Sequence, residues 1–185
     1  MHRQQLLSLI RDYEGCYPDE TSTVARFREF VERCPDCFER TLEEGHITGS
    51  AWIVDRSGDR VLLTHHRKLN LWIQLGGHAD GHCDVAAVAL REAEEESGLD
   101  QLCLVDRIFD LDVHRIPERK SEAEHWHYDV RFLVQHRGKG SFVVSEESHD
   151  LAWLKIGEIE TVTTEESILR MKQKWLESRN RSTDS

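Results

Sequence analysis

Apolar and polar positions change rhythm along the chain, and each rhythm predicts a type of element. Up to about residue 45 the spacing is helical. Leu6, Leu7, Leu9 and Ile10 cluster, and Val24, Phe27, Phe30 and Val31 recur at i, i+3, i+6 and i+7. Gly15, Tyr17 and Pro18 separate two helices, and Thr21, Ser22 and Thr23 offer N-caps for the second. From His46 the texture turns to strands. Ile47 to Val54 and Val61 to Thr64 flank DRSGD, which predicts a hairpin. Leu71 to Leu75 is a short apolar segment running into Gly76-Gly77. Asp84 opens a helical stretch, AAVALREAEEESGL, which Gly98 can end. Leu102 to Val113 and His125 to Gln135 read as longer strands joined by the polar HRIPERKSEAE. Leu151 to Leu154 is a last short strand. Glu158 to Ser178 reads as a terminal helix with Ile168, Met171, Trp175 and Leu176 on one face, and RNRSTDS as a frayed tail. This order predicts one α/β or α+β domain behind a helical N-terminal extension.

Composition narrows what such a domain can do. A chain of 185 residues fits one domain. Its 24 Lys and Arg against 35 Asp and Glu leave a formal charge of −11, which disfavours a nucleic-acid polymer or an anionic membrane as partner. No apolar run approaches the ~20 residues of a membrane span, and the N-terminus carries no signal-peptide pattern. Five cysteines are odd in number and too sparse for a disulfide framework, so reduced thiols in a cytoplasm are the expectation.

The segment Gly76 to Leu99, GGHADGHCDVAAVALREAEEESGL, carries the chemistry. At about 100° per residue, Glu92, Glu95 and Glu96 share one side of the helix, while Ala86, Leu90 and Ala93 mark another suited to packing on a sheet. Glu92 and Glu96 are a like-charge i,i+4 pair, costing about 0.2–0.5 kcal/mol. Both sit towards the C-terminal end, where the helix dipole disfavours anions by a further ~0.3–1 kcal/mol. A divalent cation reverses that balance, because Mg2+ prefers carboxylate and water oxygens. A solvated charge run would ordinarily explain such a helix. The double glycine at a fixed distance upstream favours the metal.

These residues resemble the Nudix box: glycine, five residues, Glu, seven residues, Arg-Glu, an aliphatic, any residue, Glu-Glu, any residue, glycine, aliphatic. Gly77, Arg91, Glu92, Glu95, Glu96, Gly98 and Leu99 fall at the required spacings, and Ala93 fills the first aliphatic slot. Cys83 stands where the pattern has its first Glu, a departure. The resemblance implies a Nudix-like α/β/α sandwich with a mixed sheet over residues 46–178. Residues 1–45 form the helical extension and 179–185 a disordered tail. It further implies metal-dependent hydrolysis of a phosphoanhydride in a nucleoside diphosphate linked to another moiety, with Mg2+ or Mn2+. Glu92, Glu95 and Glu96 would supply metal ligands or activate water, Gly77 its carbonyl, and Arg91 would orient a box glutamate. Asp84, beside Cys83, is a partial substitute for the missing carboxylate as well as the natural N-cap.

The resemblance also implies an extra carboxylate from a late loop, for which Glu147 is the candidate, with an exposed acidic loop as the plain alternative. His78 could approach substrate or metal-bound water, or brace the loop. HWHYD puts His125, His127 and Asp129 on one strand face; His127 could meet a phosphate or a base, or belong to a half-buried strand. Arg115 and Arg119, in the one basic cluster with His114 and Lys120, could clamp a distal phosphate. His78, His82 and Cys83 offer soft zinc ligands but lack an evident fourth. Cys34-Pro35-Asp36-Cys37 lacks the second pair of a zinc ribbon and reads as incidental. The expected partner is a small diphosphate-containing substrate, with neither nucleic-acid polymer nor membrane, and a homodimer is compatible with this reading. A rival is a Nudix-fold ligand-binding or regulatory protein whose catalysis is reduced by Cys83. Isopentenyl-diphosphate isomerase shares the fold, but its cysteine-bearing segment has no counterpart here.

Overall fold

A computed structural model describes residues 2–67, 69–118, 123–138, 142–143 and 148–183. In chain order the elements are α1 (Gln4–Cys16), α2 (Thr21–Arg33), β1 (Gly45–Val54), β2 (Arg60–His66), β3 (Leu71–Ile73), β4 (Leu75–His78), α3 (Val85–Ser97), β5 (Leu102–Ile116), β6 (His125–His136), β7 (Ser148–Lys155), a 3-10 turn (Ile156–Thr161) and α4 (Glu166–Thr183). β1 organises the sheet because it is buried throughout and paired on both edges. One edge runs parallel to β6 from Gly45↔Trp126 to Val54↔Gln135. The other edge forks. Thr48 to Ala51 pair antiparallel with β4, while Ile53 and Val54 pair with β2. β5 extends the sheet beyond β6, and β3 and β7 both pair with β2, giving seven strands of mixed direction.

Alternation along these strands sends side chains into two layers. Ile47, Leu111, Tyr128 and Val130 face α1 and α2 in a core shared with Leu6, Ile10, Val24, Phe27 and Phe30. The Tyr128 ring stacks on Phe30 at 3.8 Å between centroids and meets Phe27 edge-on. Trp52, Val54, Leu63 and Phe109 face the other way, under Ile168 and Met171 of α4. Each such side chain contributes about 1.5–3 kcal/mol on burial. The sandwich of helices around a mixed sheet is the expected architecture, and the N-terminal helices form one of its layers.

Three local expectations change. The helical leader stops at Arg33, and 34–44 is a series of turns. Glu20, not Thr21 to Thr23, is the N-cap of α2, and it makes no side-chain cap bond. Its carboxylate instead accepts from Tyr13 Oη at 2.5 Å and pairs with Lys174 Nζ at 2.6 Å. At the other terminus α4 continues to Thr183 where a frayed tail was expected from 179, and Lys174 is buried while Leu176 is exposed.

Lys174 belongs to a buried ion network that binds both termini to the sheet. Arg131, fully buried on β6, donates from Nε to Asp129 Oδ2 at 2.7 Å and from Nη1 to Asp110 Oδ2 at 3.2 Å. Arg170 and Lys174 reach Asp110 from α4 at 2.7 Å each, and Arg170 also holds Asp112 at 2.8 Å. Lys174 donates to Tyr13 Oη at 2.5 Å, so α1 is tied to the same carboxylate cluster. Burial alone would raise the Asp112 pKa, but His114, Arg131 and Arg170 override it and hold the group well below the usual carboxylate range.

Removing one partner of such a set leaves charge stranded out of water, at a cost of about 3–5 kcal/mol. Asp110→Ala is therefore expected to lower the free energy of urea unfolding by that amount. Glu44→Ala, which breaks the exposed pair with Arg33, should cost no more than about 1 kcal/mol.

Candidate active site

The acidic helix rests on glycines. Asp84 caps α3 by accepting from Ala87 N at 3.1 Å, and Gly98 ends it at φ +64°, a left-handed turn that glycine adopts without strain. Small residues bring α3 close to the sheet, with Ala89 and Ala93 fully buried against it. On β4, a Cβ added to Gly77 would collide with the Glu92 carboxylate, and one added to Gly76 would lie 2.7 Å from Ser50 Cα. Gly77 thus makes room for Glu92, and Gly76 lets β4 close on β1 at Ser50.

Glu92 is gripped by its neighbour: Arg91 Nη2 donates to Oε1 at 2.7 Å, and this contact pushes the guanidinium pKa up. Arg91 Nε also lies 4.0 Å from Glu95 Oε1. Gly76 N donates to Glu96 Oε2 at 3.1 Å. So Glu92 and Glu96 both turn to the glycine strand, while the Glu95 side chain is 65% exposed. Glu92 and Glu96 at one strand, with Glu95 beside them, offer oxygens of the kind Mg2+ and Mn2+ prefer, so their donor chemistry fits such an ion, although the three are not drawn together as a preformed three-ligand cluster. Cys83 is half-buried against the core beneath α1 and α2. Asp84 spends its carboxylate on the cap, so the pairing with Arg91 falls to Glu92.

One residue past Gly77, His78 enters a cluster of imidazoles on the face of the sheet opposite α2. His46 and His127 are direct neighbours across β1 and β6. The His46 ring centroid lies 5.0, 4.9 and 4.9 Å from those of His78, His125 and His127. His114, bonded to Asp112 Oδ2 at 2.9 Å, stands 5.4 Å from His127. Burial, then His78, His125 and Arg40, depress the His46 pKa to about 4, against a small opposing pull from the Leu42 backbone. Burial, then His114, His46, His78 and His125, depress that of His127 to about 2. Beside His46 and His125 a cavity of about 550 Å³ opens, lined also by Glu39, Arg40, Glu43 and Asp80.

Of the residues singled out in the sequence, the fold brings Glu92 to Arg91 and Gly77, brings Glu96 to Gly76, sets Glu95 near Arg91, and joins His78 to His127. Arg115 goes elsewhere. Its cross-strand neighbour Trp126 faces α2 beneath Arg26, and Arg115 itself pairs with Glu124. Arg119 and Glu147 lie outside the described residues. Cys34 and Cys37 are buried thiols, the latter pushed up to about 12 by burial, which removes the reactive thiolate. Sequence reasoning missed His46. Its signal is the alternation of His46, Thr48 and Ser50 along an otherwise apolar strand.

The family model for the NUDIX domain matches residues 46–173. The chain belongs to that family and is a Nudix-type pyrophosphohydrolase. Solved structures share its fold. A C. elegans Ap4A hydrolase binary complex is 16% identical, with a TM-score of 0.59 over 72% of this chain and 97% of that one. The E. coli dihydroneopterin triphosphate pyrophosphohydrolase is 18% identical, with a TM-score of 0.55 over 69% and 92%. A NUDIX-family hydrolase from Clostridium perfringens is 23% identical, with a TM-score of 0.53 over 70% and 95%. A comparison with curated proteins finds no match. Among the described residues no helix is long and apolar enough to cross a membrane.

The two glycines should respond differently to alanine. At Gly77 only the flexible end of Glu92 must move, so Gly77→Ala should keep its melting temperature and lose about a hundredfold in turnover through the displaced carboxylate. At Gly76 the obstacle is the Ser50 backbone, so Gly76→Ala should lower stability itself. A second prediction concerns pH. The depressed pKa values of His46 and His127 mean that unfolding takes up protons below the ordinary 6.5. Their contribution is complete above pH 6.5 and falls away as pH drops towards 4. In chelator, urea unfolding between pH 6.5 and 5 should lose about 1–2 kcal/mol per pH unit, and His127→Gln should flatten that slope.

Proposed function

We propose that this chain hydrolyses a phosphoanhydride bond in a nucleoside diphosphate linked to another moiety, using Mg2+ or Mn2+ at Glu92, Glu95, Glu96 and the Gly77 carbonyl. The observation that carries this reading is the meeting of Glu92 and Glu96 with the double glycine, from motif positions 15 to 20 residues apart. An ion bound there would neutralise phosphate oxygens and lower the pKa of water. The chain's own residues do the rest. Arg91 fixes Glu92, whose carboxylate is the group that accepts the proton of the attacking water. The Gly76 N–H holds Glu96 in place through Oε2. Glu95, more exposed, adds charge at the solvent side. His78, adjoining Gly77, is the candidate on β4 to approach substrate or metal-bound water, and Glu147 is the candidate for a further carboxylate.

The C. elegans and E. coli structures are named for different substrates, Ap4A and dihydroneopterin triphosphate, so the shared framework does not choose between them. The test is a panel of nucleoside diphosphate sugars, dinucleoside polyphosphates and nucleoside triphosphates, followed by phosphate or nucleotide release. At least one compound should turn over with Mg2+ or Mn2+ and stop with EDTA. Glu92→Gln and Glu96→Gln, nearly isosteric, should reduce that turnover by about 10²–10⁴-fold while melting like the parent protein. Tight ligand binding without turnover of any compound would favour a binding protein disabled at Cys83.

A further inference from the structure

Among the described residues, the group of three metal-ligating side chains whose ligand atoms all lie within 4.8 Å of one another is not on α3; it is His46, His125 and His127. We propose that these three imidazoles form a second metal site, which binds a nitrogen-preferring transition-metal ion such as Zn2+ at the paired starts of β1 and β6.

The geometry is that of ligands lacking a centre. His46 is 2% exposed, yet neither of its ring nitrogens has a hydrogen-bond partner of good geometry. A buried polar group left so is costly unless something binds it. The His125 Nδ1 lies 2.8 Å from the Ala123 carbonyl, which can only accept, so Nδ1 carries the proton and Nε2 keeps its lone pair. That lone pair is directed at His127 Nε2, 3.2 Å away. In a tetrahedral zinc shell with Zn–N of about 2.0–2.1 Å, neighbouring nitrogens stand roughly 3.4 Å apart. Small rotations of the three rings therefore close the shell.

The scaffold is suited to hold it. His125 and His127 are i and i+2 on one strand, and His46 is the parallel cross-strand neighbour of His127, so all three project from rigid backbone on one face. An Ala123 carbonyl behind His125 is the outer contact that orients a metal-binding imidazole. Three protein ligands leave a fourth position. It faces the cavity of about 550 Å³ beside His46 and His125, where water or an anionic oxygen completes the shell. His114 is already committed to Asp112 and is not counted. Imidazole nitrogens favour Zn2+, Ni2+ or Cu2+, whereas the carboxylates of α3 favour Mg2+ or Mn2+, so the two sites sort metals by donor type.

The test uses the full chain, freed of metal by chelation and titrated with Zn2+ and Co2+ in excess Mg2+. One equivalent should bind, Co2+ should give the visible absorption of a four-coordinate nitrogen site, and Zn2+ should raise the melting temperature. His127→Gln, and independently the half-buried His125→Ala at the strand end, should weaken Zn2+ by at least about a hundredfold. Glu92→Gln and Glu96→Gln should leave the equivalent in place. Absence of stoichiometric binding, an affinity indifferent to both histidine changes, or loss of Zn2+ in the glutamate variants would each overturn the site.

Discussion

Charge taken out of water is the constraint to which the rest of this fold conforms. Arg131 is buried completely, and it is tolerable only because Asp129, Asp110 and Asp112 surround it. Those carboxylates need further donors. Thr48 and Ser50 of β1 supply two to Asp129, Gln74 a third, and Arg170 and Lys174 of α4 serve Asp110. The network therefore fixes β1 against β6, ties the segment just ahead of Gly76-Gly77 to the same centre, and presses α4 onto the sheet. Through Tyr13 and Glu20 it also fixes the N-terminal helices.

Function follows from what this centre leaves on either side. Ser50, held by Asp129, pairs with Gly76, and the glycine strand faces α3. Glutamates that would repel one another on a bare helix are thereby turned to where an N–H and an arginine hold them, and where a cation would stabilise them further. Towards the start of the same strands the polar stripe changes from carboxylates to imidazoles. A formal charge of −11 disfavours polyanions in general. On the proposed function, its concentration as Glu92, Glu94, Glu95 and Glu96 within five positions would be the means of recruiting a cation and, through it, a small diphosphate.

The hairpin, the long strands and α3 were legible because each announces itself locally, in alternation, in turn residues, in a cap. The acidic motif was legible for the same reason, all of its positions lying within Gly77 to Leu99. What was not legible is pairing at a distance. Lys174 looks like a solvent position of an amphipathic helix, and distant contacts, to Asp110, Glu20 and Tyr13, make it a buried ion. Arg131 sits in a strand whose pattern reports its face but not its partners. His46 was overlooked because periodicity marks it as one more alternating residue, while its meaning comes from strand register with His127. Glu20 shows the reverse case, a residue drawn from local capping duty by tertiary partners.

On the proposed function, α3 offers its glutamates to a metal ion at the double glycine. A crystal of the chain grown with Mn2+ tests this directly through anomalous scattering. A Mn2+ peak is expected within coordination distance, about 2.1–2.3 Å, of carboxylate oxygens from Glu92 and Glu96. Fully occupied Mn2+ elsewhere in the molecule, with none at those two carboxylates, would contradict it.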